Sequence, residues 1–187
     1  MFVNENKCRA VHYFGKVEQS YQYHLAGHSI LPVENVRDLG VHFDSSLRFD
    51  KHVSEVTRKA NYQLLCLRRN FRKFNLRSFI AIYKSTVRPL LEYNSSVWYP
   101  LNKNGRARVE KVQQRTTKLV PYLKHLPYEN RLHRLGLSSL QFRRDRADII
   151  NTFHIIKGID NIISTDLLEL YPSPDFRLNY NHIYCLL

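Results

Sequence analysis

The hydrophobic spacing of this chain changes period at Asp50, and that change limits the folds open to it. Beyond Asp50 the apolar residues fall at Val53, Val56, Ala60, Leu64, Leu67 and Phe71, three or four apart. Such spacing gathers them on one side of a helix, which must bury that stripe against other protein. Before Asp50 the pattern is different. Short β-branched and aromatic runs are punctuated by Gly, Asp and Ser, as strands and turns require. The chain is therefore predicted to be α+β, mostly α, with a short N-terminal β-element followed by a helical bundle.

In the first part, residues 9–14, 21–25, 30–33 and 36–43 read as strands. Ala26-Gly27-His28 makes a turn. Gly40, inside the last run, suggests a bulge or a close backbone approach. Asp50 suits the N-cap of the first helix. Asn75 can cap a second, whose apolar positions run from Leu76 to Leu90. Pro89 lies inside that pattern and must kink the helix or start a new one, because it lacks an N–H and clashes with the preceding turn. Residues 100–105 read as a loop. A third helix, about 106–120, turns Val109, Val112, Thr116 and Leu119 inward.

A short helix over 128–135 ends at Gly136. Ser138 to Gln141 resembles a capping box. The helix that follows, about 139–157, carries Leu140, Ala147, Ile150, Phe153 and Ile156 inward and stops at Gly158. Arg143, Arg144 and Arg146 oppose the dipole in its first turns; with Asp145 and Asp148 close by, they read as structural. The stretch from Tyr171 reads as a frayed end.

Composition then narrows the function. The chain is 43% hydrophobic and 12% aromatic, enough for a core. Its net charge of +13 points to a polyanionic partner. That charge is localised. Residues 57–125 hold sixteen Lys and Arg against two acids, Glu92 and Glu110, while 1–56 hold six against seven and 126–187 seven against seven. Soluble helices ordinarily intersperse both signs. On the first helix Arg58, Tyr62, Arg69, Arg72 and Lys73 lie opposite the apolar stripe. On the third, Arg108, Lys111, Arg115 and Lys118 form one row about 15 Å long, with a cation every ~5 Å. That interval roughly matches successive phosphates. It equally suits a rim whose alkyl stems cover the core's edge.

Chemistry is sparse. Asp44 and Asp50 sit where turns and caps use Asp for backbone reasons. No two carboxylates share a strand end as a two-metal site needs. The nine histidines lack zinc-finger spacing. No phosphate loop or nucleophile elbow is present. Neither a catalytic residue nor a metal ligand nor a cofactor is assigned. Three scattered cysteines, with no signal peptide and no membrane span, point to an intracellular, reducing location, nucleus or cytoplasm being left open.

Five ordered segments carry a family resemblance: "NENKCRAVHYFG", "YHLAGHSILPVENVRDLGVHFDSSLRFDKHV", "IYKSTVRPLLEYNSSVWYP", "RVEKVQQRTTKLV" and "YENRLHRLGLSSLQFRRDRADIINTFHIIKG". Over roughly residues 4–158 the chain resembles the carboxy-terminal portion of reverse transcriptases from jockey-like non-LTR retrotransposons. The resemblance implies three regions: 1–48, remnant palm-edge and primer-grip strands; 49–158, a helical thumb-like domain; 159–187, an extended tail.

It further implies that the catalytic aspartates, which in the family precede the Asn-Lys-Cys strand and use Mg in the parent enzyme, lie outside this sequence. Both ends would then be clipped, and the partners would be the missing palm and fingers and an RNA/DNA primer–template duplex. The expected function is to grip that duplex by its phosphates through Arg58, Arg69, Arg72, Lys73, Arg108, Lys111, Arg115 and Lys118, without enzymatic activity of its own. Two alternatives stand beside it: a stand-alone basic nucleic-acid-binding module, and a non-functional remnant.

Overall fold

The computed structural model describes residues 4, 7–14, 23–70, 75–100, 102–160, 171–172 and 184–185. It is α+β and mostly α. The chain divides into two compact units, Met1–Arg144 and Asp145–Leu187.

The first unit opens with two antiparallel hairpins. β1 (Tyr23–Leu25) pairs with β2 (His28–Ile30), Leu25 opposite His28, around Ala26 and Gly27. β3 (Asn35–Asp38) pairs with β4 (Val41–Asp44), Asp38 opposite Val41. The run 36–43, expected as one strand, is thus a hairpin. Leu39 and Gly40 form its turn at φ +43° and +87°, the positive pair that two-residue hairpin loops demand. Residues 9–14, also expected as a strand, form none. Ala10 makes one isolated parallel bridge to Pro32, and Phe14 N–H bonds to Ser45 O.

Asp44 ends β4 and fixes the start of the next element. Its carboxylate accepts from the Ser46 hydroxyl at 2.5 Å and from the backbone N–H groups of Ser46, Arg48 and Phe49. Burial works against its charge, but these hydrogen bonds prevail and hold the carboxyl below its ordinary pKa. α1 (Asp50–Asn70) follows. Asp50, the expected cap, is instead its first helical residue; the cap is Phe49, whose O accepts from Val53 N–H. Val53, Ala60, Leu64 and Leu67 are buried, as their spacing requires.

Asn75 caps α2 (Leu76–Ile82) by accepting from Arg77 N–H. Pro89 then acts as the chemistry predicts, with an unexpected outcome. The chain passes through a π-helical segment, Tyr83–Val87, into α3 (Arg88–Glu92), and Arg88 N–H reaches back five residues to Tyr83 O. One extra residue per turn absorbs the missing donor. After α4 (Ser95–Trp98), α5 spans Lys103–Thr117, capped by Asn102 through Gly105 N–H. The expected loop 100–105 therefore already contains the first turn of α5. α6 (Tyr128–Leu135) ends in left-handed Gly136. α7 runs over Leu140–Ile156.

One core cluster joins Val41, Val53, Ala60, Tyr83, Val87, Leu91, Trp98, Val109, Val112 and Leu140; a smaller one gathers Phe79, Val120, Leu123 and Leu135. Polar groups hold the start of α7 in place. Ser139 Oγ accepts from Phe142 N–H, so Ser139 is the cap. The acid that completes the cap is Glu110 of α5, whose two oxygens accept from Leu140 and Gln141 N–H. Tyr83, Gln113, Tyr128 and Glu110 form a hydrogen-bonded chain, buried at Tyr83 and Gln113 and half-buried at Tyr128 and Glu110, leading to that cap. Desolvation raises both tyrosine pKa values; at Tyr128 the Glu110 carboxylate adds to the effect.

Arg143 and Arg144 are structural, as expected. Arg143 makes a two-point bond to Glu92, and Arg144, 3% exposed, donates to Leu91 O and lies against the Trp98 and Tyr99 rings. Within the second unit, however, Ala147, Ile150 and Phe153 are exposed, against the expected inward stripe. The stretch from Tyr171 also pairs, β5 (Tyr171–Pro172) with β6 (Tyr184–Cys185), where a frayed end was expected.

Candidate nucleic-acid interface

α1 and α5 pack side by side and point the same way. Arg108 Nη2 donates to Ser54 Oγ at 2.8 Å, and Arg115 Nη1 donates to Asn61 Oδ1 at 3.1 Å. Both pairs advance seven residues on each helix, which requires parallel axes. Two turns of α1 thus run in register with two turns of α5. The crossover needed for a parallel pair is supplied by α2, the π segment, α3 and α4.

This register brings the two expected cation groups to one surface. Arg108, Lys111 and Arg115 on α5 and Lys118 at its C-cap are all exposed. Arg58 lies one turn beyond Ser54 and three residues before Asn61, so it flanks the seam where Arg108 and Arg115 cross to α1. Arg69 is exposed in the last turn of α1. Tyr62 is 66% exposed on the same outer side. Arg72 and Lys73 lie outside the described residues. Sequence reading passed over Arg68. It falls seven residues after Asn61, which carries the seam one interval further, and it is exposed. The repeat 54, 61, 68 against 108, 115 was the available signal.

The two acids of the basic segment are both engaged in structural bonds. Glu92 binds Arg143 and, at 3.6 Å, Arg88. Glu110 caps α7 and accepts the Tyr128 hydroxyl. Neither carboxylate is left to neutralise the cation row. Glu55 sits elsewhere on α1, where it binds Lys59 at 2.6 Å and His42. Lys59, with His42 adding to it, lowers its pKa to about 2. The surface offers positive charge and hydrogen-bond donors. Among the described residues, no group of three His, Cys, Asp or Glu side chains converges to hold a metal ion. Among them too, no helix is long and apolar enough to cross a membrane.

Comparison with known proteins adds little to this geometry. No protein-family model matches the chain, and no solved structure matches it. It is 30% identical over 124 residues to a Caenorhabditis elegans protein named "Uncharacterized protein B0403.1"; the match covers 65% of this chain and 62% of that protein's length.

Proposed function

We propose that this chain binds a nucleic-acid duplex by its sugar–phosphate backbone, on the surface formed by α1 and α5, and performs no bond chemistry itself. One observation carries the reading. Parallel packing merges the cations of two helices into one surface while the only two acids of residues 57–125 are turned to structural work. A row of cations at intervals of about one helical turn suits phosphates and reads no bases. The resemblance to non-LTR reverse transcriptases supports a primer–template duplex as the ligand and a Mg-dependent polymerase as the parent activity.

Fluorescence anisotropy on duplex DNA and on an RNA–DNA hybrid, measured across a salt series, tests the proposal. The expected result is binding whose log K falls linearly with log salt, independent of base sequence. Binding without a salt slope, or Mg-dependent primer extension by this chain alone, would overturn it.

A further inference from the structure

A second candidate site lies away from the α5 row. A cleft of about 460 Å³ opens between the β3–β4 turn, α1 and the π segment. That volume is in the range of small-molecule sites. Its walls are chemically asymmetric. Val56 and Leu90 supply apolar surface, with Leu39 at the turn. Arg37 supplies positive charge; Lys59 also borders the cleft but is ion-paired with Glu55 at 2.6 Å, and no acidic residue lines it.

The remaining polar groups narrow the choice. The Ser85 and Thr86 hydroxyls, which also border it, both donate to Ile82 O, and Tyr93 OH donates to Leu39 O. Their protons are committed. His52 is different. It is 3% exposed and borders the cleft. Its Nδ1 accepts the His42 N–H at 3.3 Å, which leaves the proton of the neutral ring on Nε2, and Nε2 has no hydrogen-bond partner among the described residues. A buried donor without an acceptor costs stability, so such groups call for an explanation. Arg37 likewise has no acidic partner among the described residues. The lining therefore offers one guanidinium without an acidic partner and one buried imidazole N–H without an acceptor, beside apolar area to cover. The π segment that forms one wall is itself a device concentrated at functional sites.

We infer that this cleft binds a small organic acid, an aryl or alkyl carboxylate, with its apolar body against Val56 and Leu90 and its carboxylate toward Arg37 and the His52 imidazole. The inference does not rest on the nucleic-acid reading, since it uses none of the α5 cations.

The test uses the full chain, 1-naphthoate as probe and its neutral analogue 1-naphthalenemethanol, followed by backbone and imidazole NMR. Naphthoate should shift the Gly40 and Thr86 amides and the His52 ring nitrogens saturably, and bind about two- to five-fold more tightly than the alcohol. Arg37→Ala, on an exposed strand position, should lose about that same factor. Ser85→Phe should fill the mouth and abolish binding; if that variant does not fold, Arg37→Ala decides. Lys111→Ala with Lys118→Ala should leave naphthoate binding unchanged. Equal affinity for acid and alcohol, insensitivity to Arg37→Ala, or shifts confined to α5 would each overturn the inference.

Discussion

His52 shows how one buried side chain sets a pH limit. Burial, with His42 beside it, depresses its pKa from 6.5 to about 4. The unfolded chain therefore binds more protons than the folded one between those values. The associated stability is present above pH about 6.5 and drains as pH falls toward 4. The shift corresponds to roughly 3 kcal/mol. Glu55 acts in the same direction at lower pH, its contribution being lost as pH falls from 4.5 toward about 2. Thermal melts from pH 8 to pH 4 should show a falling Tm below 6.5, and His52→Gln should flatten that part of the profile. An unaltered profile in the variant would remove His52 from the account. At the same scale, Arg144→Ala should cost about 2–4 kcal/mol in denaturant unfolding, because Leu91 O loses its donor and Trp98 its cationic neighbour.

Elements were legible where hydropathy alone decides them. The stripe on α1 and the inward set on α5 are what the spacing says, and Asn75 and Gly136 end their helices by their own conformational preferences. Reading failed where a residue works against its type. Leu39 is a poor turn residue, so the β3–β4 hairpin passed as one strand. Arg144 is a core residue that a hydropathy wheel assigns to solvent, so the inward face of α7 was misplaced. The cap of α7 depends on Glu110, thirty residues away in sequence. The Leu39 case yields a prediction. Leucine at φ +43° is strained and 78% exposed. Leu39→Asn restores the Asn-Gly pair that this turn favours, and should stabilise the chain by about 0.5–1 kcal/mol in urea unfolding. Gly40→Ala, at φ +87°, should destabilise it by about 1 kcal/mol. Equal effects from the two would show that the turn does not hold this conformation.

At the scale of the whole molecule the question is whether binding follows net charge or its placement. A chain of net charge +13 attracts any polyanion, so weakened binding after removing cations proves nothing alone. The four cations on α5 are not equivalent. Arg108 and Arg115 also bond to α1, and replacing them disturbs the helix pair. Lys111 and Lys118 are exposed members of the row that show no such bond to α1, so Lys111→Ala with Lys118→Ala removes charge with the least disturbance of packing. A matched control, Arg77→Ala with Lys84→Ala, removes the same charge from α2 and the π segment. Diffuse attraction makes the two double variants indistinguishable. Phosphate contacts by the row separate them: the lysine pair on α5 should lower the slope of log K against log salt by about 0.9 per contact, roughly 1.8 in all, while the control leaves it near its starting value. Equal slopes for both would mean that the α1–α5 surface is not where the duplex lies.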